Sequence, residues 1–440
     1  MAFALALALA AAAFPQPKTA GKSVPVTDTL RAGGGRAADA PRDERLWQKA
    51  LKLHRSSIVV DTHNDILSIM LDENYDLGTP SVGKYHTDLA RMKEGGLTAE
   101  FFSVYVDRSF ADKGAARRAL DLIDLVHRAA ERYPNDLSMA YTAADIRRAK
   151  KAKKIAALMG IEGGHAIEDS LHALRDFYRL GVRYMTLTHN NTNNWADACC
   201  DTARHNGLSD FGKDVVREMN RIGMLIDVSH VSDKTMSDVL DVSGAPVIAS
   251  HSSARALANR PRNIPDDLLR RIGKNGGVVM INFYPAFIDQ KVIDAGAERD
   301  ARLKPERDRL REAFKNDAKR LEEELAKLNA ANPLPATPLS VLVDHFDHVV
   351  KIAGVDHVGI GSDFDGIPTL PTGMEDISKL PALTYELLRR GYSERDVRKV
   401  LGENLLRALE GAERTARASQ GQISREGNLR RFEAEKKPQP

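Results

Sequence analysis

Cysteine is almost absent: the 440 residues hold only Cys199 and Cys200. Adjacent cysteines rarely meet disulfide geometry, so a disulfide framework is excluded. The pair reads as loop or packing residues, with a redox or metal role the lesser alternative. Net charge is equally scarce, since 64 Lys and Arg against 61 Asp and Glu leave +3. Nucleic acid needs a clustered basic face, and none is implied. Long apolar runs are missing too, because nothing after the first 14 residues reaches the roughly 18 apolar residues of a membrane span. No internal repeat is found. What is present, 42% hydrophobic and 28% charged residues, suits a soluble globular chain and excludes a collagenous, coiled-coil or wholly disordered one. Length alone allows two or three domains of about 150 residues each, or one large α/β barrel.

The two ends read differently from the middle. Residues 1–14 are apolar throughout (MAFALALALAAAAF), and the first cationic side chain is Lys18. Such a run is too short to span a bilayer and suits the core of a secretory signal, although the usual basic flank is missing. An Ala-rich disordered extension is the alternative. Export to a periplasm or outside the cell is the expectation, with no integral membrane segment in the mature chain. Residues 15–43 read as a linker, 44–412 as the folded domain and 413–440 as a polar tail.

Within 44–412, short apolar runs rich in β-branched residues alternate with helix-length amphipathic segments. They lie at 58–61 (IVVD), 99–106 (AEFFSVYV), 155–161 (IAALMGI), 183–188 (RYMTLT), 224–228 (MLIDV), 246–250 (PVIAS), 277–283 (GVVMINF) and 357–362 (HVGIGS). Eight such runs predict an α/β fold, a (β/α)8 barrel of the TIM type. An open sheet could also use eight strands. Six of the runs, however, finish at or near a His, Asp or Glu, and only a closed barrel brings residues so far apart in the chain to one mouth. One stretch, 286–335, exceeds a normal crossover between the seventh and eighth runs, and 289–327 within it carries 11 acidic and 11 basic residues. Alternating charge at helical spacing predicts a solvated helical insertion. A lid or a homodimer contact is the alternative.

The densest chemical signal is 60–65 (VDTHND), where His63 and Asp65, two apart at a strand end, can grip one cation together. Glu162 in GIEGGH ends another run, and the glycines behind it leave room for a carboxylate to bridge two ions. His230 in DVSH and His251 in ASHSS stand 21 residues apart, the length of one βα repeat. A single strand-end histidine is usually structural; two in successive repeats, with the other three residues at the same mouth, make a ligand set. His63, Asp65, Glu162, His230 and His251 give each of two ions three ligands if Glu162 is shared. His and carboxylate donors suit Zn²⁺, with Mn²⁺, Co²⁺ and Fe²⁺ compatible by ligand type. Asp363 in GSDFDG ends the last run, where a carboxylate can exchange a proton with a metal-acidified water. Asp365 is its rival, although the adjacent Gly366 suggests a turn. His189 in LTHNN has no ligand spacing and reads as a contact to a substrate oxygen, against a plain loop histidine.

The motifs VDTHND, GIEGGH, LTH, DVSH, SHSSARAL, PRNIPDD and GSDFDG, in this order over about 50–410, resemble the membrane (renal) dipeptidase family, zinc dipeptidases of the metal-dependent amidohydrolase superfamily. The resemblance implies a barrel, a dinuclear zinc site bridged by Glu162, and hydrolysis of dipeptides, including those with a C-terminal D-residue. It implies one ion on His63 and Asp65, the other on His230 and His251, His189 and Arg262 as substrate-binding residues, and Asp363 as proton shuttle. Arg262 is chosen by the resemblance alone. In RPRNIPDD both Arg260 and Arg262 are candidates, and a guanidinium fork suits the free carboxylate of a dipeptide. The chain lacks the cysteines of animal members, shows no C-terminal lipid-anchor signal, and carries 286–335 beyond their compact pattern.

The reading is a metallo-dipeptidase in which a hydroxide bridging two zinc ions attacks the peptide carbonyl. A second reading keeps the site but changes the substrate to a lactone, an N-acyl amino acid or a phosphoester, because fold does not settle substrate. A third is a non-catalytic exported metal-binding protein, which the complete residue set disfavours.

Overall fold

The computed structural model describes residues 42–111 and 113–419. The expected signal segment 1–14, almost all of the linker 15–43 and the tail beyond residue 419 lie outside it. Nine strands form, at β1 Val60–Asn64, β2 Ala99–Tyr105, β3 Leu137–Met139, β4 Ile155–Glu162, β5 Val182–Thr186, β6 Leu225–Asp227, β7 Ile248–Ser252, β8 Val278–Ile281 and β9 Val358–Ile360. Every pairing is parallel, and β1–β2–β4–β5–β6–β7–β8–β9 closes on itself through β9 and β1. The chain is thus a (β/α)8 barrel, and its eight ring strands are the eight apolar runs.

The ninth strand, β3, stands outside the ring. It pairs with the first half of β4, Leu137 opposite Ile155 to Met139 opposite Ala157, while β5 takes the second half from Met159 onward. With only Leu137 of its three residues buried, β3 carries no apolar run for the sequence to reveal.

Two apolar layers hold the barrel. Inside it, Val60, Phe101, Leu158, Tyr184, Leu225, Ile248 and Met280 pack together, and Leu405, Leu406 and Leu409 of the helix Asn404–Ala418 join them. Gly402, just before that helix, lies against Ile58 and Val60, so the helix plugs the amino-terminal end and leaves the other end free for chemistry. Each fully buried aliphatic side chain of this kind contributes roughly 1.5–3 kcal/mol. The second layer lies between strands and helices, as where Ile66, Leu67 and Met70 of the helix Ile66–Asp72 meet Phe102 and Val104. The helix Asn404–Ala418 also runs six residues past position 412, into the segment assigned to the tail.

Between β8 and β9 stand the helices Gln290–Ala313 and Ala318–Ala330, before the helix Leu339–Ala353 returns to the barrel. The first buries only Val292 and Leu303, the second nothing. Same-helix ion pairs run along them, among them Arg309–Glu306 at 2.7 Å, Arg320–Glu324 at 3.1 Å and Lys327–Glu324 at 2.8 Å. Exposed pairs of this kind favour helix but are too weak to anchor it. No helix among the described residues is long and apolar enough to cross a membrane.

Candidate metal centre

The strand ends bring the sequence-derived residues together. His63 lies on β1, and Asp65 follows as the residue capping the helix Ile66–Asp72. Glu162 ends β4, His251 lies on β7, and His230 and Asp363 follow β6 and β9 by three residues each. His230 and Asp363 both take left-handed backbone conformations, with φ of 65° each. That conformation is costly for residues with a Cβ and collects at functional sites.

Glu162 is the centre of the cluster. Its Oε2 lies 3.4 Å from His63 Nε2, and its Oε1 lies 3.0 Å from His230 Nε2 and 3.3 Å from His251 Nε2. Asp65 Oδ2 is 3.3 Å from His63 Nε2. Three overlapping groups of metal-competent atoms result: His63, Asp65 and Glu162; Glu162, His230 and His251; and His63, His251 and Asp363. All six residues are buried. Gly366 makes the approach of the two aspartates feasible, since a Cβ there would stand 2.2 Å from Asp65 Oδ2 and 2.6 Å from Asp363 Oδ1.

The hydrogen bonds behind the imidazoles show that these residues fit a cation. His63 Nδ1 meets the Tyr184 hydroxyl at 2.8 Å, and that hydroxyl already donates to Thr62 O, so Nδ1–H is the donor. His230 Nδ1 donates to Asn190 Oδ1 at 2.9 Å, and His251 Nδ1 faces Ser250 Oγ at 2.8 Å. Each Nε2 lone pair therefore points into the cluster, the orientation a metal-binding histidine needs. His230 Nε2 and His251 Nε2 stand 2.9 Å apart, and His63 Nε2 is buried with no hydrogen-bond partner. Facing lone pairs repel unless a cation lies beside them.

Without a metal, protons fill that need in part. Burial pushes the Asp363 carboxyl up to about 8, helped by Asp65. Burial alone would depress His63, but Tyr184, Asp65 and Glu162 hold it well above its usual value. Burial and Arg262 push His230 well below its usual value, and burial, His63 and Arg262 do the same to His251. Burial would raise Glu162, yet the neighbouring His63, His189, His230 and His251 hold it well below the carboxylate range. Metal entry near pH 7 must displace protons from His63 and Asp363, so uptake should release protons and tighten as pH rises. Calorimetric zinc titrations of the stripped protein in buffers of different ionisation enthalpy check this; a buffer-independent heat would contradict it.

The residues expected around substrate lie at the same mouth. His189 Nε2 is 3.9 Å from Glu162 Oε1, its ring against Tyr105 and His230. Arg262 is 4% exposed, whereas Arg260 lies on the surface. Its Nη1 and Nη2 donate to Ser252 Oγ and His251 O, both at 2.7 Å, and Nε has no partner. Asp365 turns elsewhere: its Oδ1 accepts from His86 N at 2.7 Å and its own N donates to His86 Nδ1 at 2.9 Å. Cys199 donates from N to His230 O at 2.7 Å, which places the cysteine pair in the loop beside that ligand. Sequence reading missed Tyr184, Asn190, Ser250 and Asn282, the last donating to Asp363 Oδ2 at 2.8 Å. Only Ser250, adjacent to a ligand in ASHSS, offered any local signal.

Solved structures are similar to this barrel. A probable dipeptidase, PvdM, from Pseudomonas aeruginosa superimposes with a TM-score of 0.73 at 27% identity, covering 85% of this chain and 100% of its own. A metallopeptidase from Rhodobacter sphaeroides, solved with a phosphinate mimic of the dipeptide L-Ala-D-Ala, gives 0.66 at 26% identity, over 81% of this chain and 100% of that one. A dipeptidase described as a metallopeptidase of family M19 gives 0.67 at 27% identity, over 81% and 99%. The family model for membrane dipeptidases matches residues 47–423, the whole barrel and every strand end just described. The chain belongs to the membrane dipeptidase family, peptidase family M19, and is a metal-dependent peptide hydrolase.

Proposed function

We propose that this protein hydrolyses dipeptides, including those with a C-terminal D-residue, at a dinuclear zinc centre held by His63, Asp65, Glu162, His230 and His251. The observation that carries the reading is Glu162, whose two oxygens face His63 on one side and His230 with His251 on the other. A carboxylate so placed would hold two ions at once. When bound, the ions supply Lewis acidity and a water acidified towards neutral pH.

The chain's own residues do the rest. Asp363, beside both halves of the cluster, takes a proton from the attacking water and returns it to the leaving amine. His189 donates to the carbonyl oxygen as it gains charge. Arg262 receives the terminal carboxylate, which lets the enzyme tell a dipeptide from the end of a longer chain. The D-residue tolerance is supported by the L-Ala-D-Ala mimic held by the Rhodobacter relative. Steady-state rates on L,L and L,D dipeptides beside N-acyl amino acids and lactones test the assignment; preference for either of the last two would overturn it.

Arg262→Ala should raise KM for dipeptides with a free carboxylate by roughly 10- to 150-fold, since a hydrogen bond to a charged group is worth about 1.5–3 kcal/mol. Carboxyl-amidated dipeptides are the control. An equal loss on them would contradict a carboxylate-reading role. We further assign 1–14 as an export signal and 44–412 as the enzyme proper; the amino-terminal sequence of mature protein tests the first.

A further inference from the structure

We propose that Asp227 and Ser250 form a positioning relay that presets His251 as an Nε2 donor and sets the metal affinity of the His230/His251 half of the centre. The proposal rests on the dinuclear reading above. Neither residue touches substrate or reacting atoms; both act through His251.

Asp227 ends β6 and is fully buried. Its Oδ1 accepts from Ser229 N at 3.0 Å and from Ser250 N at 2.8 Å. Those amides immediately precede the ligands His230 and His251, so one oxygen ties together the two strand ends that carry them. Its Oδ2 accepts from Thr186 Oγ1 at 2.5 Å and from Ser250 Oγ at 2.6 Å. Thr186 lies on β5, three residues before His189. One carboxylate therefore clamps the three strands that present His189, His230 and His251.

The relay follows from proton counting. A serine hydroxyl has one proton, and an ionised carboxylate can only accept. At 2.6 Å from Asp227 Oδ2, the Ser250 proton is committed there. Ser250 Oγ can then only accept from His251 Nδ1, 2.8 Å away, so Nε2 must carry the lone pair. The buried negative charge of Asp227 also makes His251 a stronger donor, conveyed through one hydroxyl.

A second clamp in the same barrel supplies an internal comparison. Asp61 on β1 accepts at Oδ1 from Ser362 N at 2.8 Å, and at Oδ2 from the Ser362 hydroxyl. Ser362 precedes Asp363 as Ser250 precedes His251, but no imidazole leans on it; His63 leans on Tyr184 instead. Asp61 is a strand clamp alone, whereas Asp227 is a clamp with a tautomer relay attached.

Zinc titrations of stripped full-length wild type, Ser250→Ala, Ser250→Thr and Asp227→Asn, with melting curves of the metal-free proteins, test the relay. Wild type should bind two equivalents. Ser250→Ala should bind one about 10- to 100-fold more weakly, the usual cost of losing an outer partner, and the other unchanged. Ser250→Thr keeps the hydroxyl and should restore the first. Asp227→Asn should be at least as harmful as Ser250→Ala: its Oδ1 stays with the two amides, so its NH2 meets Ser250 Oγ and turns that proton towards His251 Nδ1. Wild-type affinity for both equivalents in Ser250→Ala would overturn the relay and leave the dinuclear reading intact. Parallel weakening of both equivalents with a lower metal-free melting temperature would mean a strand clamp only, and would also overturn it. Fewer than two equivalents on wild type would sink the dinuclear reading and the relay with it.

Discussion

Replacing Glu162 by glutamine should strip the protein of metal and lower kcat/KM for dipeptides by roughly a thousandfold or more, about 4 kcal/mol of transition-state stabilisation. The size of the effect follows from the position of the carboxylate. Oε1 and Oε2 face different imidazoles, with separations of 3.0–3.4 Å. Glutamine keeps the shape but turns one oxygen into an NH2 group, which donates where a cation must sit. One half of the centre then faces an NH2 group where it had a carboxylate oxygen, the other keeps a neutral amide oxygen, and Asp65 is left as the one anionic ligand of the set. Three imidazole lone pairs are then left in a buried space with less negative charge to offset a divalent ion. Metal content by elemental analysis beside steady-state kinetics reads both consequences. Retention of both ions, with activity near wild type, would show that Glu162 is not the shared ligand.

Asp363→Asn should behave differently, with kcat lower by about 10²–10⁴, the range for loss of a positioned general acid–base, and metal content preserved. Asp363 accepts from Asn282 through Oδ2, and its φ of 65° turns the side chain in over the cluster. Asparagine can keep the shape but cannot carry a proton to the leaving amine. The pH profile sharpens the test. Burial and Asp65 push the metal-free carboxyl up to about 8, and two cations beside it would pull that value down. In loaded wild type, kcat should fall as pH drops through the Asp363 pKa, on an acid limb below about 8 that the Asn variant lacks. Loss of metal together with activity would make Asp363 a ligand instead of a shuttle.

The barrel was legible because its ring strands are buried on both faces, so each reads as an apolar run. β3 was not, because three residues with one buried side chain carry no such run. The ligands were legible for a related reason: strand ends of a closed barrel converge, and a His or acid at the end of a run marks the mouth. Backbone conformation was hidden. Nothing in DVSH or GSDFDG announces that His230 and Asp363 adopt left-handed backbone, which is what turns them in after their strands end. Arg262 and Arg260 look alike in RPRNIPDD and are told apart only by burial. Asp227, Ser250, Tyr184 and Asn190 escaped notice because their part depends on which atom of a distant side chain they touch, and no spacing encodes that.

Metal dependence is the claim on which the rest stands, and reconstitution of the stripped full-length protein tests it most directly. After exhaustive chelation the protein should hydrolyse no dipeptide, and activity on L-Ala-D-Ala should return with added zinc in proportion to occupancy, reaching a plateau at two equivalents per chain. Full hydrolysis by the metal-free protein, or a plateau reached with no metal bound, would contradict it.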